Sequence, residues 1–381
     1  MSKKILLFSC TLLLTLIFVL LASTVLWAKD PVLLDFDDIA LRVPKENRQL
    51  DILQRTLPVL QKARDDMVKA GKDIESLSNG LRDLNAAYSS IEKNFDMSVL
   101  DKKLIETLQG SIAYNQATLG SINFDSIDMQ IAQVRIQIPM TQAALINGGQ
   151  QLFVGYHQLQ DNIRKIRDSR KLLEEKLQLA KVQQSTGAGT MLAVKEAELA
   201  LAELDTSILQ MENQGAVMLG QLKLIIGWPQ EQVIKLGAMP KPNRDYLGKI
   251  VLTEDIKSAQ ANSYNLKIKE QEHKYSSSDE QKRLIKLNID AAKEQIALSV
   301  STQYHKIVDI NSNLLLEEQR LAVAEEKITQ NRMRHKLGQI SALALQTEEN
   351  SFKTRQDAVV SAMDALLWEI EVYKSIVAGL N

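Results

Sequence analysis

This sequence predicts an all-α protein of long antiparallel coiled-coil hairpins in two tandem repeats, and three observations predict it. Glycine and proline are scarce, 16 and 7 of 381 residues, roughly half their usual share. A β-sandwich or barrel needs a turn every ten residues or so, and turns need those residue types. Apolar residues step by three and four over dozens of positions, the narrow stripe of a coiled coil rather than the broad face of a globular helix. Two short glycine-bearing breaks interrupt that stripe, and such short links force neighbouring helices antiparallel.

The chain opens with Lys3 and Lys4 before an uncharged run from Ile5 to Trp27. This is the pattern of an export leader, and the run is also long enough to span a bilayer. Residues 1–28 are therefore read as a signal peptide cleaved after Ala28 or as an N-terminal membrane anchor. Both put the body outside the cytoplasm, because the lysines stay inside.

The body, 29–381, reads as two unequal copies. Asp35-Phe36-Asp37-Asp38-Ile39-Ala40 opens the first, and Leu252-Thr253-Glu254-Asp255-Ile256 opens the second. Ile225-Ile226-Gly227-Trp228 closes the first and Val377-Ala378-Gly379-Leu380 the second. The expected boundaries are 29–229 for the first repeat, 230–248 for a linker holding Pro240 and Pro242, and 249–381 for the second. The first copy carries about 66 extra residues before its break, somewhere between about 70 and 151. Breaks are expected there near Gly80, Gly110, Gly120 and Gly148-Gly149, since glycine weakens helices.

In the first repeat the seam runs through Leu152, Tyr156, Leu159, Ile163, Ile166, Leu173, Leu177 and Ala180, with Arg170 at one seam position. It returns through Val194, Ala197, Leu201, Leu204, Ile208, Met211, Gly215, Met218, Leu222 and Ile225. In the second repeat it runs through Ile307, Ile310, Leu314, Leu321, Ala324 and Ile328, with Glu317 at a seam position, and returns through Leu345, Phe352, Val359, Leu366, Ile370, Tyr373 and Val377. The breaks are Ser185-Thr186-Gly187-Ala188-Gly189-Thr190 and Leu337-Gly338-Gln339-Ile340-Ser341. Each places a glycine where a left-handed residue ends one helix and a hydroxyl where it caps the next. A helix from Thr190 to Ile226 would be about 55 Å long, and one from Asp279 to Leu337 nearly 90 Å.

Other chemistry is sparsely represented. The net charge is −1, whereas a nucleic-acid binder shows a basic excess. Cys10 is the single cysteine and lies in the leader, and His157, His273, His305 and His335 share no helical metal spacing. No cofactor is implied. Paired acids such as Glu174-Glu175, Glu325-Glu326 and Glu348-Glu349 lie among lysines and arginines and read as solvated faces. With no phosphate-binding loop and no nucleophile elbow, the chain reads as a non-enzyme.

The leader, the duplication, the Leu-Thr-Glu-Asp opening followed by Asn265-Leu266-Lys267, and the two Gly-x-x-Ser/Thr tips together resemble the TolC-like outer-membrane efflux protein family. The resemblance implies a homotrimer in which six hairpins form a hollow α-helical barrel. It also implies tips that dock on a periplasmic adaptor, or membrane fusion protein, and through it on an inner-membrane pump. Carried over by position, Gly187, Ala188, Gly189 and Thr190 form one tip and Gly338, Gln339, Ile340 and Ser341 the other. Small residues there let a partner helix approach closely, and helix ends offer unpaired backbone groups.

One feature departs from the family pattern. Barrel strands need about 9–11 alternating residues each. In the second copy the place available, Tyr275 to Glu280, is too short and too polar, and in the first only Ile131 to Pro139 alternates, a stretch that fits helix equally. Transmembrane strands are therefore expected to be missing, as in a barrel-less relative. The location expected is the cell envelope: the outer membrane by resemblance, the periplasm or an anchor at the cytoplasmic membrane by the missing strands. The function expected is a passive channel component of an efflux or type I secretion-like system; the alternative is an exported coiled-coil scaffold of the envelope.

Overall fold

The computed structural model describes residues 31–92, most of 106–118, and 124–380. The leader, residues 1–28, and the break at Gly120 lie outside the described residues. In chain order the elements are β1 (Val32–Leu34), α1 (Phe36–Glu46), α2 (Arg48–Glu92), α3 (Phe124–Ser185), α4 (Met191–Ile226), β2 (Ile234–Leu236), a 3-10 turn (Arg244–Lys249), α5 (Leu252–Asn262), α6 (Tyr264–Tyr275), α7 (Asp279–Lys336) and α8 (Ala342–Val377). The chain is all-α in class. The strands among the described residues are β1 and β2, which pair in parallel with Val32 beside Ile234 and Leu34 beside Leu236.

Two antiparallel hairpins dominate, α3 with α4 and α7 with α8. The three-four seam is what they bury. Leu159, Ile163 and Leu177 of α3 and Val194 and Leu222 of α4 are nearly inaccessible, as are Ile307, Leu314 and Ile328 of α7 and Leu366, Ile370 and Tyr373 of α8. The charged seam residues are answered across the hairpin. Arg170 donates to Asp205 at 2.5 Å, and Glu317, itself buried, takes Arg320 from its own helix and Arg355 from α8. α8 also packs on α3, so the four long helices stand in a row, α4–α3–α8–α7.

The two halves share one construction at the ends of their shorter arms. α4 ends at Gly227 with φ +96°, and Asn47 donates from its amide to the Ile225 carbonyl at 2.6 Å while accepting from Leu50 N–H. In the other half Gly379 has φ +110°, Asn262 donates to the Val377 carbonyl at 3.1 Å, and the Ser263 hydroxyl accepts from Leu266 N–H. At these joints α2 takes over from α4 beside α3, and α6 takes over from α8 beside α7. Around the first joint α1 and the two strands form a core in which Phe36 meets the edge of Phe153 at 5.6 Å. Phe153 sits near the middle of α3, so this waist lies halfway along that helix.

Several expected breaks are not breaks. Gly80 lies inside α2 and Gly148-Gly149 inside α3. A Cβ on Gly149 would stand 2.8 Å from Ile39 and 3.4 Å from Ile225. This glycine therefore serves close packing of α1 and α4 on α3 rather than a turn. Gly110 is likewise helical. The stretch Ile131 to Pro139 is α-helix.

The extra length of the first half is also localised. α3 and α7 are nearly matched, at 62 and 58 residues, whereas α2 has 45 residues against 12 for α6. The insertion therefore precedes Phe124. Arg64 pairs with Asp128 near the start of α3, so the rest of α2 projects about 40 Å beyond that level at 1.5 Å per residue. Thr107, Gly110, Ser111 and Tyr114 line a shallow groove against Leu77 and Leu81, which lays this segment alongside the projecting helix. In the second half the equivalent link is Ser276 to Ser278, a turn in which Ser278 caps α7. Among the described residues no helix is long and apolar enough to cross a membrane.

Candidate functional site

Each tip is built by the last turn of one arm and the cap of the next. At the first, Gly187 takes φ +78°, and the amides of Ala188 and Gly189 both donate to the Gln183 carbonyl at 2.8 and 2.9 Å. Thr190 then accepts from Ala193 N–H at 3.2 Å. At the second, Gly338 takes φ +71°, Gln339 N–H donates to the Arg334 carbonyl at 2.8 Å, and Ser341 accepts from Ala344 N–H at 3.2 Å. These bonds satisfy carbonyls and amides that helix ends leave open. Gly187, Ala188, Thr190, Gly338, Gln339 and Ser341 are exposed, while Gly189 and Ile340 are half-buried. A Cβ on Gly189 would lie 3.0 Å from Gln183 and from the Gln184 amide nitrogen, so the first turn is the tighter.

Both tips stand at the same end of the rod. The hairpins meet along α3 and α8 through Arg164–Asp357 at 2.9 Å and Lys353–Asp168, two contacts that step towards both tips. Beyond Lys353–Asp168, α3 continues for about 25 Å to its end and α8 for about 17 Å to its start. A groove between them is lined by Lys165, Leu172, Asn350 and Thr354.

This inter-hairpin seam is polar, unlike the two seams within hairpins. Asp364 of α8 is 6% exposed. Burial raises its pKa to about 6, and the nearby Asp161 charge on α3 pushes the same way. Arg164 pairs with Asp161 and Asp357 together, and no cation is paired with Asp364 among the described residues. One helical turn from Asp161, His157 is held below its ordinary value by burial, and its Nε2 has no hydrogen-bond partner among the described residues.

The outward edges of the row carry a second apolar stripe. On α4, Leu192, Leu199, Leu209, Val217 and Leu224 are all more than half exposed. At about 100° per residue they lie across the helix from the buried seam. On α7, Leu287, Leu298, Val323 and Met333 do the same. The sequence reading missed both stripes because the stronger seam masks them; plotting each helix at about 100° per residue would have shown them on the opposite face. Asp364 had no such signal, since its burial depends on which helix α8 meets.

Among solved structures the chain is similar to CusC, a protein described in terms of its folding and transmembrane channel formation. Sequence identity is 10%, the TM-score is 0.52, and the match covers 90% of this chain and 91% of that one. It is also similar to the outer-membrane channel OprN, at 14% identity and TM-score 0.47, covering 90% of each chain. The outer membrane protein VceC of Vibrio cholerae matches at 12% identity and TM-score 0.45, over 70% of this chain and 76% of that one. No family model and no curated protein matches. At such identities a likeness is one of fold. The chain has the fold of the TolC-like outer-membrane channels.

Proposed function

We propose that this protein is the wall-forming subunit of a passive conduit in the cell envelope, serving an efflux or type I secretion-like system as a homotrimer. Its two repeats, 29–229 and 249–381, each contribute one hairpin. The tips Gly187-Ala188-Gly189-Thr190 and Gly338-Gln339-Ile340-Ser341 dock on a periplasmic adaptor, and through it on an inner-membrane pump.

The observation that carries this reading is the pair of apolar edges. A row of four helices with its own seams filled needs no further burial, yet α4 and α7 each offer a second stripe to the outside. The edges differ in sequence, so α4 of one copy fits α7 of the next. Such a head-to-tail contact generates a ring when the rotation closes. A ring of upright hairpins encloses a lumen, whereas a scaffold rod would leave the edges bare. No energy-consuming site is needed, because the driving force belongs to the pump.

A photo-crosslinker at a cysteine placed on Gln339 tests the docking. Mass identification of an adaptor-type membrane protein in the product is the expected result. Products containing only this chain, or an envelope polymer, would replace the conduit with a scaffold.

A further inference from the structure

The two tips share one backbone but not one chemistry. Before the first glycine stand Gln183, Gln184 and Ser185, and before the second stand Arg334, His335 and Lys336. From Lys327 to Thr347 there is no acidic residue, and the next is Glu348. Lys327 and Arg332 are used within the hairpin, on Glu348 and Glu349. Arg334 and Lys336 are exposed and make no ion pair or side-chain hydrogen bond among the described residues. Next to them Leu337 is 65% exposed.

A cation in the last turn of a helix is favoured by the helix dipole. That effect does not account for the second tip, since the first hairpin ends equally well on amides and hydroxyls. Ser185 and Thr186 there turn back onto the Val182 carbonyl. Nor does it account for an exposed leucine between the cations and the turn. Free cations beside an apolar side chain at the end of a rod form a contact surface, and its charge fixes the sign of what it meets.

We propose that the second tip docks on an acidic protein surface, with Arg334 and Lys336 meeting carboxylates and Leu337 packing between them, while the first tip supplies only close approach through its glycines. This rests on the docking reading and adds the partner's chemistry. A protein suits the geometry better than anionic lipid. The uncharged first tip reaches at least as far along the rod, so a flat bilayer would meet it no later than the charged one. A shaped protein surface addresses the second tip alone.

The test is zero-length carbodiimide coupling in cells, which joins an amine to a carboxylate only where the two already touch. In the wild type, Lys336 should form an amide with an Asp or Glu of another protein, mapped by mass spectrometry. Arg334→Gln should lower that yield roughly tenfold, as the loss of one charge-assisted contact implies. Lys195→Gln, near the first tip, should leave it unchanged. Coupling of Lys336 only to this chain's own carboxylates would overturn the proposal. So would binding of the purified chain to phosphatidylglycerol vesicles that Arg334→Gln/Lys336→Gln abolishes, because the surface would then be a lipid one. If the Gln339 photo-crosslinker captures an adaptor while Lys336 couples to nothing acidic on it, docking stands and the acidic partner falls.

Discussion

Gly227 and Gly379 hold the two joints, and each does so for two reasons at once. Both take a positive φ, and a Cβ would stand 2.0 Å from the Glu46 carbonyl oxygen in one case and 2.4 Å from that of Asn262 in the other. Alanine at either position is strained in its backbone and in its contacts. Gly227→Ala and Gly379→Ala should each cost at least about 2 kcal/mol, read as a lowered denaturation midpoint. Gly338→Ala has a strained φ of +71° but open space around its Cβ, so it should cost only about 1 kcal/mol. Asp364 acts through pH. Its folded pKa of about 6 lies above the ordinary value, so the folded state holds the proton more tightly than the unfolded chain does. The stabilisation is complete below about pH 4 and is lost as pH rises through 6. Asp364→Asn should flatten the stability profile between those values. It should also stabilise the protein at pH 7 by on the order of 1–2 kcal/mol, allowing for solvent screening. Thermal melts of both proteins at pH 5 and pH 7 would show it.

The long helices stand because each has a continuous partner. α4 and α8, of 36 residues each, are too short to cover α3 and α7, and the joints hand the remaining length to α2 and α6. Within a hairpin the seam is apolar and its burial is local to the fold. At the edges the same type of stripe is left open. Leu199→Asp with Leu209→Asp should therefore leave helicity and melting almost unchanged, because both side chains are already exposed. The same pair should abolish self-association, measured as mass in solution. Leu222→Ala, at 1% exposure in the inner seam, should instead cost about 2–5 kcal/mol and leave the edge intact. Trimers that persist with two edge aspartates would remove the argument for ring closure.

For the whole molecule, the position of the waist constrains the leader. β1 begins at Val32 and packs in the core around Phe153, with about 48 Å of α3 towards the tips and about 43 Å the other way. The four residues from Ala28 to Pro31 can span at most about 14 Å. A leader held in a bilayer would bring the membrane surface close to the middle of an upright α3, and one end of that helix would have to enter it. An upright ring therefore requires removal of the leader. The mature N-terminus should fall close to Lys29 by intact mass. A chain that retains Met1 and lies along the membrane would contradict the upright conduit.

The sequence by itself determined the hairpins. Alternation by three and four fixes which helix face is buried, and Gly187 and Gly338, followed by Thr190 and Ser341, fix where each helix turns back. Those signals are local, and local physics reads them the same way in any context. It overreached at Gly148-Gly149, where the missing side chain answers to Ile39 and Ile225, residues far away in sequence. The tertiary structure alone decided that α3 and α8 meet and that Asp364 is buried there. It also decided that α2 projects past the start of α3, and that a parallel strand pair closes the waist. Each of these depends on which surfaces meet between elements distant along the chain, and a periodic pattern states only that a surface is apolar, not what covers it.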